Sequence, residues 1–109
     1  MTVCEMATRL SLTPLAVPEG EREVFGGYVG DLLSWVMGRA ESGCAWITIM
    51  SNINIVAVAS LADVACVILA EGVTLEEDVR KTAEQKGINV YSSLQTSYQL
   101  AAAVANLLK

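Results

Sequence analysis

Three apolar runs restrict the fold of this chain more than any other feature: "CAWITIM" (Cys44 to Met50), "ACVILA" (Ala65 to Ala70) and "INVYS" (Ile88 to Ser92). They are rich in β-branched residues and lack the polar alternation of a half-wet strand, so each reads as a strand covered on both faces. Between the first two lies "IVAVASLADV", a short helix by its spacing, although its valines and isoleucines leave strand as the alternative. Between the second and third lies "GVTLEEDVRKTAEQKG", the clearest helix in the chain. Thr74 and Glu77 are spaced as a capping box, Glu76, Glu77 and Asp78 fill a first turn where the helix dipole favours acids, and Gly87 supplies the stop. "SLQTSYQLAAAVANLLK" closes the chain as an alanine-rich helix.

Upstream, Val3, Met6, Ala7 and Leu10 fall at helical spacing, and "LTPLAV" reads as a strand whose exposed edge tolerates Pro14. A polar turn or loop over Pro18 to Glu23 leads to "EVFGGYV", a second strand that gives the start of the chain a hairpin-like character. Asp31 to Arg39 continues as a helix with Leu32, Leu33, Val36, Met37 and Ala40 clustered on one face. Strands then alternate with helices to the end. The expectation is an α/β, single-domain layered fold over residues 1–109, with a largely parallel sheet flanked by helices.

A chain of 109 residues, 53% of them hydrophobic, is enough for one real core. Its net charge of −5 disfavours partners that need a positive field, so neither nucleic acid nor a membrane surface is expected. Cys4, Cys44 and Cys66 are far apart, without a CxxC pair, and the chain has no histidine, so no metal site is expected. With no secretory signal pattern and no apolar run of spanning length, the expected location is a reducing cytoplasm, where the thiols are idle. The missing histidine also removes the usual general base, and no lysine-bearing phosphate loop is present. No catalytic residue and no cofactor is assigned, and an enzyme is not expected.

"GGYVGDLLSWVMGRA" poses the question of a phosphate cradle. Gly26, Gly27 and Gly30 precede Asp31, but no lysine follows, and Asp31 as the cap of the next helix would satisfy the positive end that a phosphate needs. The carboxyl ends of parallel strands are where ligands gather, and they carry Thr48, Ser51, Asn52 and Asn54, then Ser92, Ser93 and Thr96. Together with Gly26, Gly27, Gly30 and Asp31, these are the candidate ligand-binding residues, suited by their neutral hydrogen-bonding groups to an adenine, a ribose or another small polar molecule; helix capping is the competing use of the same groups. Trp35 falls off the apolar stripe of its helix and is the candidate interface residue.

"GGYVGDLLSWVMGRA", "WITIMSNINIVAVASLADVACVILAEG" and "GINVYSS" together resemble the DRTGG domain family, from about Leu12 onward. The string that names the family is absent, and "AEGVTLEED" stands at the end of the "ACVILA" run. Members often carry an acidic residue at the position of Trp35 and a histidine at that of Asn52. Such domains accompany nucleotide-sensing CBS domains in regulated pyrophosphatases, occur in phosphate acetyltransferases, and exist as short separate proteins. The resemblance implies a homodimeric regulatory or assembly module without catalysis, binding a partner protein and a small effector. The alternative is a nucleotide sensor for an adenine nucleotide or dinucleoside polyphosphate.

Overall fold

The two central strands of the computed structural model, which describes residues 1–109, are β3 (Ala45–Thr48) and β4 (Cys66–Leu69), and every side chain in both is buried. Successive side chains of a strand point to opposite faces. Trp46, Val67, Leu69 and Val90 therefore enter one core, while Ala45, Ile47, Cys66, Ile68 and Tyr91 enter another. β1 (Thr13–Ala16), β2 (Gly27–Val29) and β5 (Val90–Ser92) complete a five-stranded sheet of order β1-β5-β4-β3-β2. β2 to β5 are parallel, and β1 runs antiparallel to β5 at the edge.

Helices α2 (Leu33–Arg39), α3 (Asn54–Ala62) and α4 (Glu77–Lys86) each join neighbouring parallel strands. Since the sheet always advances in the same direction, crossovers of one hand put all three helices on one face. There they supply Val36, Ile55, Val56, Val58, Ala59, Val79 and Ala83 to the first core. α1 (Val3–Arg9) and α5 (Ser97–Leu107) cover the other face with Val3, Met6, Ala7, Leu100 and Val104. The expected α/β architecture with a largely parallel sheet is the observed one, and "IVAVASLADV" forms a helix.

Three local expectations are corrected. β1 and β2 lie at opposite edges of the sheet, so the chain does not start as a hairpin; β1 pairs with β5 instead. Thr74 and Glu77 form no capping box: Val73 and Leu75 pack against the core and hold the chain extended, so the helix begins only at Glu77 after Glu76. Reciprocal capping boxes occur instead at Thr2 with Glu5 and at Thr96 with Gln99. On α2 only Val36 is fully buried, with Leu33 and Ala40 packed in part, while Leu32 and Met37 face solvent.

The segment linking β1 to β2 crosses beneath the sheet and is pinned by polar side chains. Asn89, 1% exposed, accepts from Glu19 N through Oδ1 and donates through Nδ2 to the carbonyls of Glu19 and Ala65, all at 2.9 Å. Arg22 donates to the Asp63 carbonyl and pairs with its carboxylate. Hydrogen bonds from Ser42 first, and from Arg22, hold the Asp63 carboxyl below the usual range, so its contribution to stability is present above the unfolded carboxyl's pKa and fades as pH falls through the lowered value. Removing the Asn89 amide takes this partner from Glu19 N and from the Ala65 carbonyl, while the Glu19 carbonyl still accepts from Arg22 N. Asn89→Ala is expected to lower stability by about 3 kcal/mol with an unchanged denaturant slope, measured by urea unfolding.

Candidate functional site

Because β2 to β5 are parallel, Gly30, Thr48, Ala70 and Ser92 mark one common edge of the sheet, the edge at which ligands bind in folds of this kind. Gly30 is held there by the core: the Trp46 indole, fully buried, donates from Nε1 to the Gly30 carbonyl at 2.9 Å. The Tyr28 ring lies so close to Gly30 that a Cβ on Gly30 would sit 2.9 Å from its Cε2. The ring thus accounts for glycine at this position.

Asp31 does not cap α2. Leu32 occupies the N-cap position without a side-chain bond, and Asp31 Oδ1 instead accepts from Thr48 Oγ1 at 2.7 Å and from Ile49 N at 3.0 Å. The carboxylate satisfies donors left open where β3 ends, among them the hydroxyl of Thr48, which is 1% exposed. Thr48 Oγ1 in turn accepts from Met50 N. Asn52 accepts from Asn54 N and so turns the chain into α3, with Asn54 at its first residue. Ser51 is half-buried beside them.

The other candidates divide into two places. Ser92, Ser93 and Thr96 follow β5 on the same edge; Ser93 Oγ accepts from Gln95 N, and Thr96 is committed to capping α5. Gly26 and Gly27 lie at the opposite end of the sheet, where Gly27 is level with Ala45 at the start of β3. "GGYVGD" is therefore a strand crossing from one edge to the other, and its glycines do not gather around a single ligand.

A parallel sheet opens a crevice where the helices after two neighbouring strands leave to opposite faces. Here that point lies between β4, followed by α4, and β5, followed by α5. Two backbone bonds lace it shut, from Glu71 N to Gln95 O and from Gly72 N to Ser93 O, both 2.8 Å. Glu71 adopts a left-handed conformation, φ 62°, to make this contact.

What the edge presents most openly is apolar. Leu32, Trp35, Ile49 and Ile53 are each about half exposed; Trp35 lies in the first turn of α2, and the others come from the adjoining β2-to-α2 and β3-to-α3 connections, which the Asp31 to Ile49 bond ties together. Arg39 stacks its guanidinium on Trp35, 3.7 Å from the ring centroid. Trp35 is the only one of these that sequence reasoning singled out. Leu32 falls in the apolar stripe that helical spacing predicts and Ile49 in an unbroken apolar run, and nothing in the residue types marks either as exposed. Leu94 and Tyr98, 90% and 85% exposed, add two more apolar groups after β5.

A family model, that of the DRTGG domain, matches residues 30–107. The chain belongs to the DRTGG domain family. The match begins later than Leu12, although residues 1–29 of this DRTGG chain supply α1, β1 and β2 to the same sheet and cores. Among solved structures, the chain is similar to the CBS and DRTGG domains of the regulatory region of a Clostridium perfringens pyrophosphatase, complexed with the activator diadenosine tetraphosphate. The TM-score is 0.73 at 15% sequence identity; the comparison covers 94% of this chain and 45% of that one, so the DRTGG chain spans less than half of its neighbour. No curated protein sequence matches it.

The thiols lie away from this edge. Burial raises the Cys44 thiol above its ordinary value and pushes Cys66 up to about 12, which keeps both in the unreactive protonated form. At the edge itself, Asp31→Ala is expected to cost about 1–2 kcal/mol by stranding the buried Thr48 hydroxyl, whereas Asp31→Asn, which keeps the accepting oxygen, costs much less. Thermal unfolding of the two variants side by side checks this.

Proposed function

We propose that this DRTGG chain is a regulatory or assembly module without catalysis of its own, which acts as a homodimer, binds a partner protein and responds to a small effector. The observation that carries this reading is the apolar corner of Leu32, Trp35, Ile49 and Ile53, surface of the kind that mediates protein contacts. Trp35 is its anchor, a large ring presented at the surface with a cation stacked on it. The polar groups nearby favour the same reading, since Asp31, Thr48, Asn52 and Thr96 are engaged in holding the chain's own turns.

A nucleotide-sensing role is the second reading, favoured by the dinucleotide activator in the similar pyrophosphatase region. Ser92 and Ser93, flanked by the exposed Leu94 and Tyr98, offer hydrogen-bonding groups beside surfaces on which a base can stack. Ser51 and Asn54 extend that edge towards α3.

Sedimentation separates the parts of this proposal. The wild-type chain is expected to be a dimer, and Trp35→Glu to raise its dissociation constant at least about tenfold, a loss of roughly 1.4 kcal/mol. An unchanged dimer, or a monomer in both, rules out Trp35 as a subunit contact. For the second reading, adenine nucleotides and diadenosine tetraphosphate are expected to raise the melting temperature by mass action. A flat response at millimolar ligand eliminates it.

A further inference from the structure

The two edges of the sheet are built differently. β1 carries Pro14, which has no amide to donate, and its pairing with β5 is irregular between Pro14 and Ala16. Both devices blunt an edge against further pairing. β2 has neither. The stretch Val24 to Gly30 around it contains no charged residue and no proline, β2 itself pairs without a bulge, and Phe25 just before it and Val29 on it stand 67% and 48% exposed.

The hydrogen-bonding pattern shows which groups of β2 are free. Gly26 O accepts from Ala45 N, and Gly30 N donates to Ile47 O, both towards β3. By alternation along the strand, the amides and carbonyls of Gly27 and Val29 point away from the sheet. On the α5 side of the strand lies a cavity of about 230 Å³ lined by Gly27, Val29, Ile47, Ala101, Val104 and Ala105. It exists because Gly27 has no side chain and α5 presents small ones; a Cβ on Gly27 would lie 3.4 Å from Val104 Cγ1.

We propose that β2 pairs antiparallel with β2 of a second copy of this chain, on a twofold axis through Tyr28, with Val29 of each copy filling the cavity over Gly27 of the other. This rests on the homodimeric reading above but not on Trp35 as the subunit contact, and it places the axis at β2. Gly27 and Val29 are two residues apart, so centring the pairing on Tyr28 sets Gly27 opposite Val29 at both ends. Each such pair exchanges two backbone hydrogen bonds, and opposed side chains share a face of the sheet. Bump and hollow are then matched by a single twofold operation, the self-complementarity that an isologous contact requires.

Charge favours the same occupant. Two copies carrying −5 each repel, so a face poor in carboxylates suits their meeting; beside β2 one carboxylate, Glu41, lies on one flank together with the cation of Arg39. Besides the uncharged β2, α5 has no charged residue from Ser97 to Leu107, and its exposed Ala102 and Ala105 offer small, neutral surface alongside.

Sedimentation and cross-linking together test the pairing. Val29→Lys places a charge in the cavity of the second copy at a position half exposed in the single chain, and is expected to weaken the dimer at least about 100-fold, with the circular dichroism of the fold retained. In a Cys4→Ser background, Tyr28→Cys brings two thiols opposite each other in a non-hydrogen-bonded pair, about 4.5 Å between Cα atoms, and mild oxidation is expected to give a dimer that a reductant dissolves. A wild-type chain that is monomeric at tens of micromolar overturns both this pairing and the homodimeric reading. A wild-type dimer that survives Val29→Lys overturns the pairing alone. If Val29→Lys does not fold, the Tyr28→Cys chain decides, and failure to cross-link overturns the pairing.

Discussion

Parallel strands that are apolar on both sides leave no face of the sheet that can stay wet, and most of this architecture follows from that. The residues of the central strands divide by parity, Trp46 to one side and Ile47 to the other, so that two cores have to be closed by separate sets of helices. Three of those helices are the crossovers themselves. The other two, α1 and α5, have no strand to connect on their face and are there as covers. This accounts for the role of the first 29 residues, which lie outside the DRTGG match yet contribute Val3, Met6, Ala7, Leu12 and Val24 to the second core.

The fold was legible where a residue's own chemistry decided its place. Unbroken runs such as "ACVILA" can hardly be anything but central strands, and Gly87, in the left-handed conformation at φ 76°, ends α4 as read. It was not legible where tertiary contacts outweighed a local signal. Thr74 has the spacing of a cap but lies in a stretch that Val73 and Leu75 hold extended, and Asp31 has the right type for a cap but finds stronger use bridging to Thr48 and Ile49. The hairpin-like start was misread because which strand an edge strand pairs with is a property of the whole sheet.

The candidate site shows the same limit more sharply. Hydroxyls and amides at strand ends suit a small polar ligand and suit turn-making equally well, and in this chain most are bonded within their own loops. The crevice expected between diverging helices is occupied by backbone pairing around Glu71 and Gly72. Asn89, whose amide makes three hydrogen bonds to backbone groups, lies in a run whose hydrophobicity dominates its local signal. A single polar residue inside an otherwise buried strand was the available signal.

The bulged, proline-bearing β1 edge also limits how large an assembly of these sheets can become. The proposed joining of two copies through β2 would use the unblunted edge of each, and the combined sheet would have β1 at both of its outer borders. In that proposed pairing both outer borders are blunted by Pro14 and the irregular register, which opposes growth beyond two.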